Sequence, residues 1–345
     1  MSTHPWRITF DTNPDDCNLK CVMCEEHSPH SQRQADRMAC GQPPRRMDIR
    51  VLEQVLEELK DHPPSEIIPS TMGEPLLYQD FDRIVELCRL HGIRLNLTTN
   101  GTFPRRGVRE WARIILPVGA DVKISFNGVR AETQQEIMRN TRLETVLENI
   151  KNFVRLRDEH AAMGGNYCSV TLQLTFLEQN LAEIPEVVRL ASQLNVDRVK
   201  GHHLWVHFPE MRDQDLRRSP ESVARWNDTV VQCQAVAAQH PRPNGKSVRL
   251  EHFSPIEFNA EHAVPDDSEC PFLRREAWVN HAGRFDPCCA PDERRKGLGH
   301  FGLVQEAGFL NIWNGEAYRT LSKGYRGHPL CQSCLMRRPS EGRAA

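Results

Sequence analysis

The chain has 345 residues, with 44 Lys plus Arg against 46 Asp plus Glu and a formal net charge of -2. That balance argues against a protein that coats nucleic acid or lies on a membrane surface, and no run approaches the ~20 apolar residues of a membrane span. With 39% hydrophobic and 26% charged residues it reads as a globular chain long enough for two domains, and "MSTHPWRITF" lacks the basic-then-apolar pattern of an export signal, so a cytoplasmic location is expected.

In chain order, "RITFDT" reads as a strand and is followed by "CNLKCVMC", which carries Cys17, Cys21 and Cys24. A long polar segment leads to "MDIRVLEQVLEELKDH", whose Ile49, Leu52, Val55, Leu56 and Leu59 fall at helical spacing. "SEIIPS" is a short strand that runs into "GEP". "DFDRIVELCRLHG" is a helix with Asp80 at its start and Gly92 at its stop. "IRLNLTTNG" and "ADVKISFNG" are strands separated by the helix "GVREWARIILPVG". "LETVLENIKNFVRLRDEHA" is a long amphipathic helix, "CSVTLQLTFLEQN" a strand, "LAEIPEVVRLASQLN" a helix and "VDRVKGHH" a sixth strand. Single helices between short apolar strands predict parallel pairing with right-handed crossovers. Six such units resemble three-quarters of a (β/α)8 barrel, in which chemistry sits in the loops after the strands. Those loops here hold Cys17–Cys24, Gly73–Pro75, Asn100 and Ser125–Gly128.

After residue 205 the pattern changes. "PESVARWNDTVVQCQAVAAQH" predicts a helix and "PRPNGKSVRLEHF" a turn and strand, before a Pro-containing linker and a Cys-rich, irregular remainder. The expected organisation is a core over 1–205, a connecting helix and strand over 206–262, and a metal-stapled C-terminal domain over 263–345 that ends in a disordered tail.

Twelve cysteines stand out. Without an export signal a disulfide framework is not expected. Cys88, Cys168 and Cys233 are scattered and read as small buried hydrophobes. The front three differ, because three thiolates on one loop can hold three irons of a 4Fe–4S cluster and leave the fourth iron open to an external ligand. The bland alternative is a zinc site completed by His27 or His30.

CxxxCxxC after a first strand, with the later segments in order, resembles the radical S-adenosylmethionine (radical SAM) superfamily over about residues 6–205. The resemblance implies a partial (β/α)6 barrel and a reductive cleavage of S-adenosylmethionine (SAM) at the Cys17–Cys21–Cys24 cluster. Gly73, Glu74 and Pro75 match the segment that meets the methionyl amino group, and Ser125 and Asn127 the strand-four segment that reaches the cofactor. Asn100 follows strand three. Asn180 ends the strand-five segment, and Arg139 stands where related enzymes place a carboxylate-binding Arg. Met23 replaces a common aromatic residue, and its soft thioether suits packing on adenine.

The rear cysteines resemble the twitch form of the SPASM domain. Cys270, Gly283 and Cys288 fit its hairpin, with a turn at Ala282–Gly283, and Cys331 and Cys334 fit its later CxxC. The resemblance implies an auxiliary 4Fe–4S cluster, with Cys289 as an alternative to Cys288. A zinc knuckle is the competing reading of the same spacing.

The reaction is less legible. The resemblance implies a hydrogen-abstracting, oxidoreductase-type enzyme served by a flavodoxin- or ferredoxin-type electron donor, with no nucleic-acid or membrane partner. A start close to strand one, without a leader-recognition segment, favours a small polar metabolite as substrate; a peptide is the alternative. A third reading, of another class, is a zinc- or cluster-binding interaction protein that never cleaves SAM. Arg33, Arg37, Arg45 and Arg46 are candidates for an anionic substrate. His203 and Glu210, in "GHHLWVHFPEMR", are the candidate catalytic acid–base groups, beside His202, His207 and Arg212.

Overall fold

The computed structural model describes residues 3–259, 264, 267–334 and 336–339. The boundary expected at residue 263 lies outside them, as does the expected tail "RRPSEGRAA" from residue 340 on; its first residues are ordered instead, with Arg337 buried and Arg338–Pro339 paired with Ser268–Glu269.

Nine strands form the main sheet: β1 (Arg7–Phe10), β2 (Glu66–Ile68), β3 (Arg94–Thr99), β4 (Gly119–Ser125), β5 (Ser169–Phe176), β6 (Arg198–His203), β7 (Arg249–Glu251), β8 (Glu276–Val279) and β9 (Phe285–Asp286). Their spatial order is β9-β8-β1-β2-β3-β4-β5-β6-β7. Every pairing from β8 through β7 is parallel, and only the β8–β9 hairpin is antiparallel. The six units are therefore present in the expected order, and a seventh short strand extends them.

The helices that cover the sheet are α1 (Ile49–Glu58), α2 (Phe81–His91), α3 (Gly107–Ile115), α4 (Leu143–Ala162), α5 (Ile184–Gln193) and α6 (Pro220–Gln239). Their ends follow local chemistry. The Asp48 side chain caps α1 by accepting from the Arg50 N–H. Gly92 ends α2 with φ of +66°, the left-handed turn that glycine enters without steric cost. Ser219 caps α6 with Pro220 in its first turn. Each helix turns its apolar stripe onto the sheet: Leu52, Val55 and Leu56 from α1, and Trp226, Val230 and Cys233 from α6, are at most 1% exposed. Cys88, Cys168 and Cys233 lie in this core, as expected of scattered free thiols.

The sheet runs on into the Cys-rich segment, because β8 pairs along the full length of β1. Side chains from β8, at one end of the sheet, and from β6, near the other, line one cavity. The sheet is thus curled around an interior into which the strands turn polar side chains such as Thr9, Lys123 and Lys200 among apolar ones, where the helix-facing side is apolar.

Candidate active site

The cavity inside the curl has a volume of about 480 Å³. Its mouth is built by the loop after β1, where Cys17, Cys21 and Cys24 all line it beside Met23. A two-residue ribbon pairs Lys20–Cys21 with Met138–Arg139 and pins this loop across the barrel. Burial pushes the Cys17 thiol up to about 12 and the Cys21 thiol well above its usual range, and the neighbouring thiols push Cys21 further. Such thiols give up their protons when a metal cation takes their place.

The loop after β2 packs on this one. Glu74 N–H donates to Asp16 O at 2.7 Å, and Asn13 Nδ2 donates to Glu74 O at 2.9 Å. Gly73 has φ of +79°, and a Cβ there would sit 2.3 Å from Asn13 O. The Glu74 carboxylate turns into the protein. It accepts from Asn100 N–H at 2.7 Å and Thr99 Oγ1 at 2.8 Å, which ties this loop to the one after β3. Burial raises its pKa to about 7. Asn100 in turn donates to Asn18 Oδ1 at 2.8 Å, with Cys17 Sγ 4.0 Å away.

Gly73, Glu74, Asn100, Ser125 and Asn127 line the cavity with the three cysteines. Asn180 does not reach it. Its side chain is fully buried and clamps the ends of β4 and β5, donating to Asn127 O and Thr175 O at 3.0 Å each. Pro75 opens a short 3-10 turn behind the cavity wall. Arg139 is exposed on the pinning ribbon, where its neighbour Met138 lines the cavity instead.

The two candidate catalytic residues are not brought to the cavity. His202 lines it, so the next residue on the strand, His203, points to the opposite face, as strand alternation requires. The His203 ring lies 4.9 Å from that of Trp226 and 5.5 Å from that of Phe176, and burial lowers its pKa to about 3. Glu210 is exposed on a 3-10 turn. The four arginines of the long segment are already paired: Arg33 with Glu25 at 2.7 Å, Arg37 with Asp15 at 2.6 Å, Arg45 with Asp15 and Glu26 at 2.7 Å each, and Arg46 with Asp16 at 2.7 Å.

The alternative zinc reading loses one of its two histidines, His27, while the His30 ring packs 5.9 Å from that of Phe208. His27 Nε2 lies 2.8 Å from Pro14 O, and its Nδ1 lies 3.3 Å from Gln34 Nε2. Among the described residues no three His, Cys, Asp or Glu side chains meet closely enough to hold one metal ion. Thiols spread over a cavity wall suit the corners of an iron–sulfur cube better than the single centre of a zinc site.

A second cavity adjoins the first. Cys270, Cys288, Cys289, Cys331 and Cys334 all line it, among Leu273, Leu298, Leu321 and Leu330. Cys289 lines both cavities. Burial pushes the Cys288 thiol up to about 12 and the Cys331 thiol to about 11. Five thiols in an apolar pocket fit an auxiliary cluster with one thiol to spare.

Sequence reasoning missed the floor and one wall of the main cavity. Lys123 and Lys200 rise from the floor, each two residues before a position singled out above (Ser125 and His202), and strand alternation would have found them. Glu276, Trp278 and His281 come from the C-terminal hairpin, whose place beside β1 no local signal announces.

A family model described as the radical SAM superfamily matches residues 14–191, just over half of the chain, and one described as an iron–sulfur cluster-binding domain, SPASM, matches residues 270–335. The chain is 24% identical over 332 residues to the tungsten-containing aldehyde ferredoxin oxidoreductase cofactor-modifying protein of Pyrococcus furiosus, a match that covers 93% of this chain and 85% of that protein. It is 23% identical over 220 residues to the mycofactocin maturase MftC of Mycobacterium tuberculosis, covering 61% of this chain and 49% of that protein. Among solved structures, SuiB of Streptococcus suis bound to its precursor peptide SuiA superposes with a TM-score of 0.64 at 16% identity, over 93% of this chain and 67% of SuiB. The structure of anSMEcpe with bound AdoMet and the Cp18Cys peptide gives 0.64 at 15% identity, over 99% of this chain and 92% of that one. At these identities the two structures speak for the fold alone.

Proposed function

Because the chain belongs to the radical SAM superfamily, we propose that it couples reductive cleavage of SAM to hydrogen abstraction from a peptide substrate. The observation that carries this reading is convergence: three thiols of one loop, the Gly73–Glu74 loop and the ends of β3 and β4 face one cavity, with a five-thiol pocket against its wall. Held by Cys17, Cys21 and Cys24, a reduced front cluster would supply the electron for reductive cleavage of the SAM sulfonium S–C5′ bond, the chemistry from which hydrogen abstraction would follow.

The residues have separable tasks. Cys17, Cys21 and Cys24 hold the front cluster, and Cys270, Cys288, Cys331 and Cys334 the auxiliary one. Ser125, Asn127 and the backbone at Gly73 orient SAM. Glu74, Asn100 and Asn180 keep those loops in register by hydrogen bonds and leave the chemistry to others. Electrons arrive from a flavodoxin- or ferredoxin-type donor. Among the described residues no helix is long and apolar enough to cross a membrane.

A peptide is favoured over the small polar metabolite because MftC is named a maturase and the SuiB structure holds a precursor peptide. The Pyrococcus furiosus relative, named for modifying a cofactor, supports the metabolite as a second reading. The deciding experiment uses anaerobically reconstituted protein with dithionite, SAM and deuterated short peptides, chosen from any short open reading frames found near this gene. Deuterium in the released 5′-deoxyadenosine supports the peptide reading. Release without deuterium points to the second reading, and iron-loaded protein that releases none overturns the enzyme.

A further inference from the structure

Five cationic side chains line the main cavity: Arg7, Arg45, Lys123, Lys200 and Arg295. Four of them touch a carboxylate. Arg7 meets Glu276 at 2.6 Å, Arg45 meets Asp15 at 2.7 Å, Lys200 meets Glu251 at 2.7 Å and Arg295 meets Asp286 at 3.1 Å. Lys123 is the exception: among the described residues no carboxylate oxygen lies within 4 Å of its Nζ. Its hydrogen-bond partner is the neutral Oδ1 of Asn96. The Asn96 amide is held in that orientation, because its Nδ2 donates to Glu66 Oε2 at 2.8 Å.

Lys123 is 7% exposed, so little water reaches the ammonium. Burial lowers its pKa from 10.5 to about 8, and Lys200, Arg7 and Arg198 repel the charge further, against attraction from Asp121. A group with that pKa is still charged at neutral pH; Asp121 and Glu276 attract it only from beyond contact distance, and a buried charge with no carboxylate against it is costly to keep. A second polar group of the same cavity is also unsatisfied. Thr9 is 3% exposed, and its Oγ1 has no hydrogen-bond partner among the described residues. A structural lysine in this barrel would resemble Lys200, which sits against its carboxylate.

We propose that Lys123 on the cavity floor is the anchor for a carboxylate of the substrate, with the unpartnered Thr9 hydroxyl a second polar group of the same cavity. The inference rests on the cavity being the substrate chamber, as argued above, and deepens that reading by naming the group recognised. Inward alternation on β4 places Lys123 one layer below Ser125, away from the cysteine mouth. A substrate held there by its carboxylate presents its remainder towards that mouth. In a peptide the carboxylate comes from the C-terminus or from an acidic side chain.

The test is reductive methylation of the reconstituted protein with formaldehyde and a borane, read by mass spectrometry at each of its eight lysines. Without added anion, Lys123 should label readily for a buried lysine near pH 8. Propionate should slow that labelling at least fivefold and leave exposed Lys60 unchanged, while propionamide and chloride should do nothing. N-acetylalanine against N-acetylglutamine amide and N-acetylglutamate α-amide then separates a C-terminal carboxylate from a side-chain one. Protection by SAM alone would assign the site to the cofactor and overturn the proposal. So would equal protection by chloride, or a Lys123 that never labels. SAM cleavage measured on the same preparation reports separately on the function proposed above, so either reading can fail while the other stands.

Discussion

Replacing Gly73 by Ala tests whether close packing of the first two barrel loops creates the SAM site. The added Cβ would lie 2.3 Å from Asn13 O and 2.9 Å from Asp16 O, both backbone atoms on the loop that leads into Cys17. Neither can swing away as a side chain could. The left-handed φ of +79° costs an L-residue roughly 1–2 kcal/mol. Relieving the contact needs the loops to part by most of an ångström, at roughly 1–3 kcal/mol for overpacking a buried site. The sum is roughly 2–5 kcal/mol, or a fall in Tm of roughly 3–7 °C for a chain of this size. Parting the loops also strains the Glu74 N–H to Asp16 O bond of 2.7 Å. Because misplacement by ~1 Å can cost ~100-fold in rate, 5′-deoxyadenosine release should fall far more than the iron content. Gly164→Ala is the control. That glycine has φ of +86° with nothing within 4 Å of the added Cβ, so it carries the conformational cost alone. Thermal melts, iron analysis and SAM cleavage on both variants make the comparison. If Gly73→Ala melts with Gly164→Ala and cleaves SAM within twofold of wild type, the loop-packing argument is wrong.

Three further outcomes are expected. Cys331→Ala should lower reconstituted iron from about eight to about four atoms per chain and leave the front cluster able to bind SAM; an unchanged iron count removes Cys331 from the auxiliary set. His203→Leu should leave SAM cleavage within about twofold, since the ring packs on Trp226 behind the sheet, whereas a loss of ~100-fold would return His203 to the chemistry. Lys123→Met should stabilise the protein at pH 7. A folded pKa of about 8 against 10.5 means that the unfolded chain holds a proton the folded one releases between those values. Stability from this group is thus present above pH 10.5 and lost as pH falls through 8. Removing the amine should recover about 3 kcal/mol at pH 7, less about 1 kcal/mol for the bond to Asn96. Urea titrations should show the net gain shrinking towards pH 10.5, and a destabilised variant at pH 7 would refute the sign.

That His203 faces away from the cavity and Lys123 faces into it has one physical cause. Strands β4 and β6 were recognisable from their apolar residues, and those residues define the face that packs on helices: Val122 and Ile124 on β4, and Val199 on β6, are fully buried in the core. In a barrel with an apolar interior the two faces of a strand look alike. Here these strands turn polar side chains into the interior, so alternation is visible in the letters: Asp121, Lys123 and Ser125 fall on one side of β4, and Arg198, Lys200 and His202 on one side of β6. Once Ser125 is placed at the site, Lys123 must share its face, and once Val199 is placed in the core, His203 must share that one. The helices, the six parallel strands and the three-thiol loop were legible because each follows from local spacing. The pairing of Glu276–Val279 with Arg7–Phe10 was not, because it joins positions 269 residues apart through backbone bonds that any sequence can make. That pairing brings Cys289 to the wall between the two cavities, so the distance between the clusters is set by a strand contact rather than by a motif. Changes that weaken this edge, such as Trp278→Pro, should therefore disturb communication between the clusters before they disturb either cluster's own ligands. Slower re-oxidation of one cluster by the other, at full iron content, would be the sign.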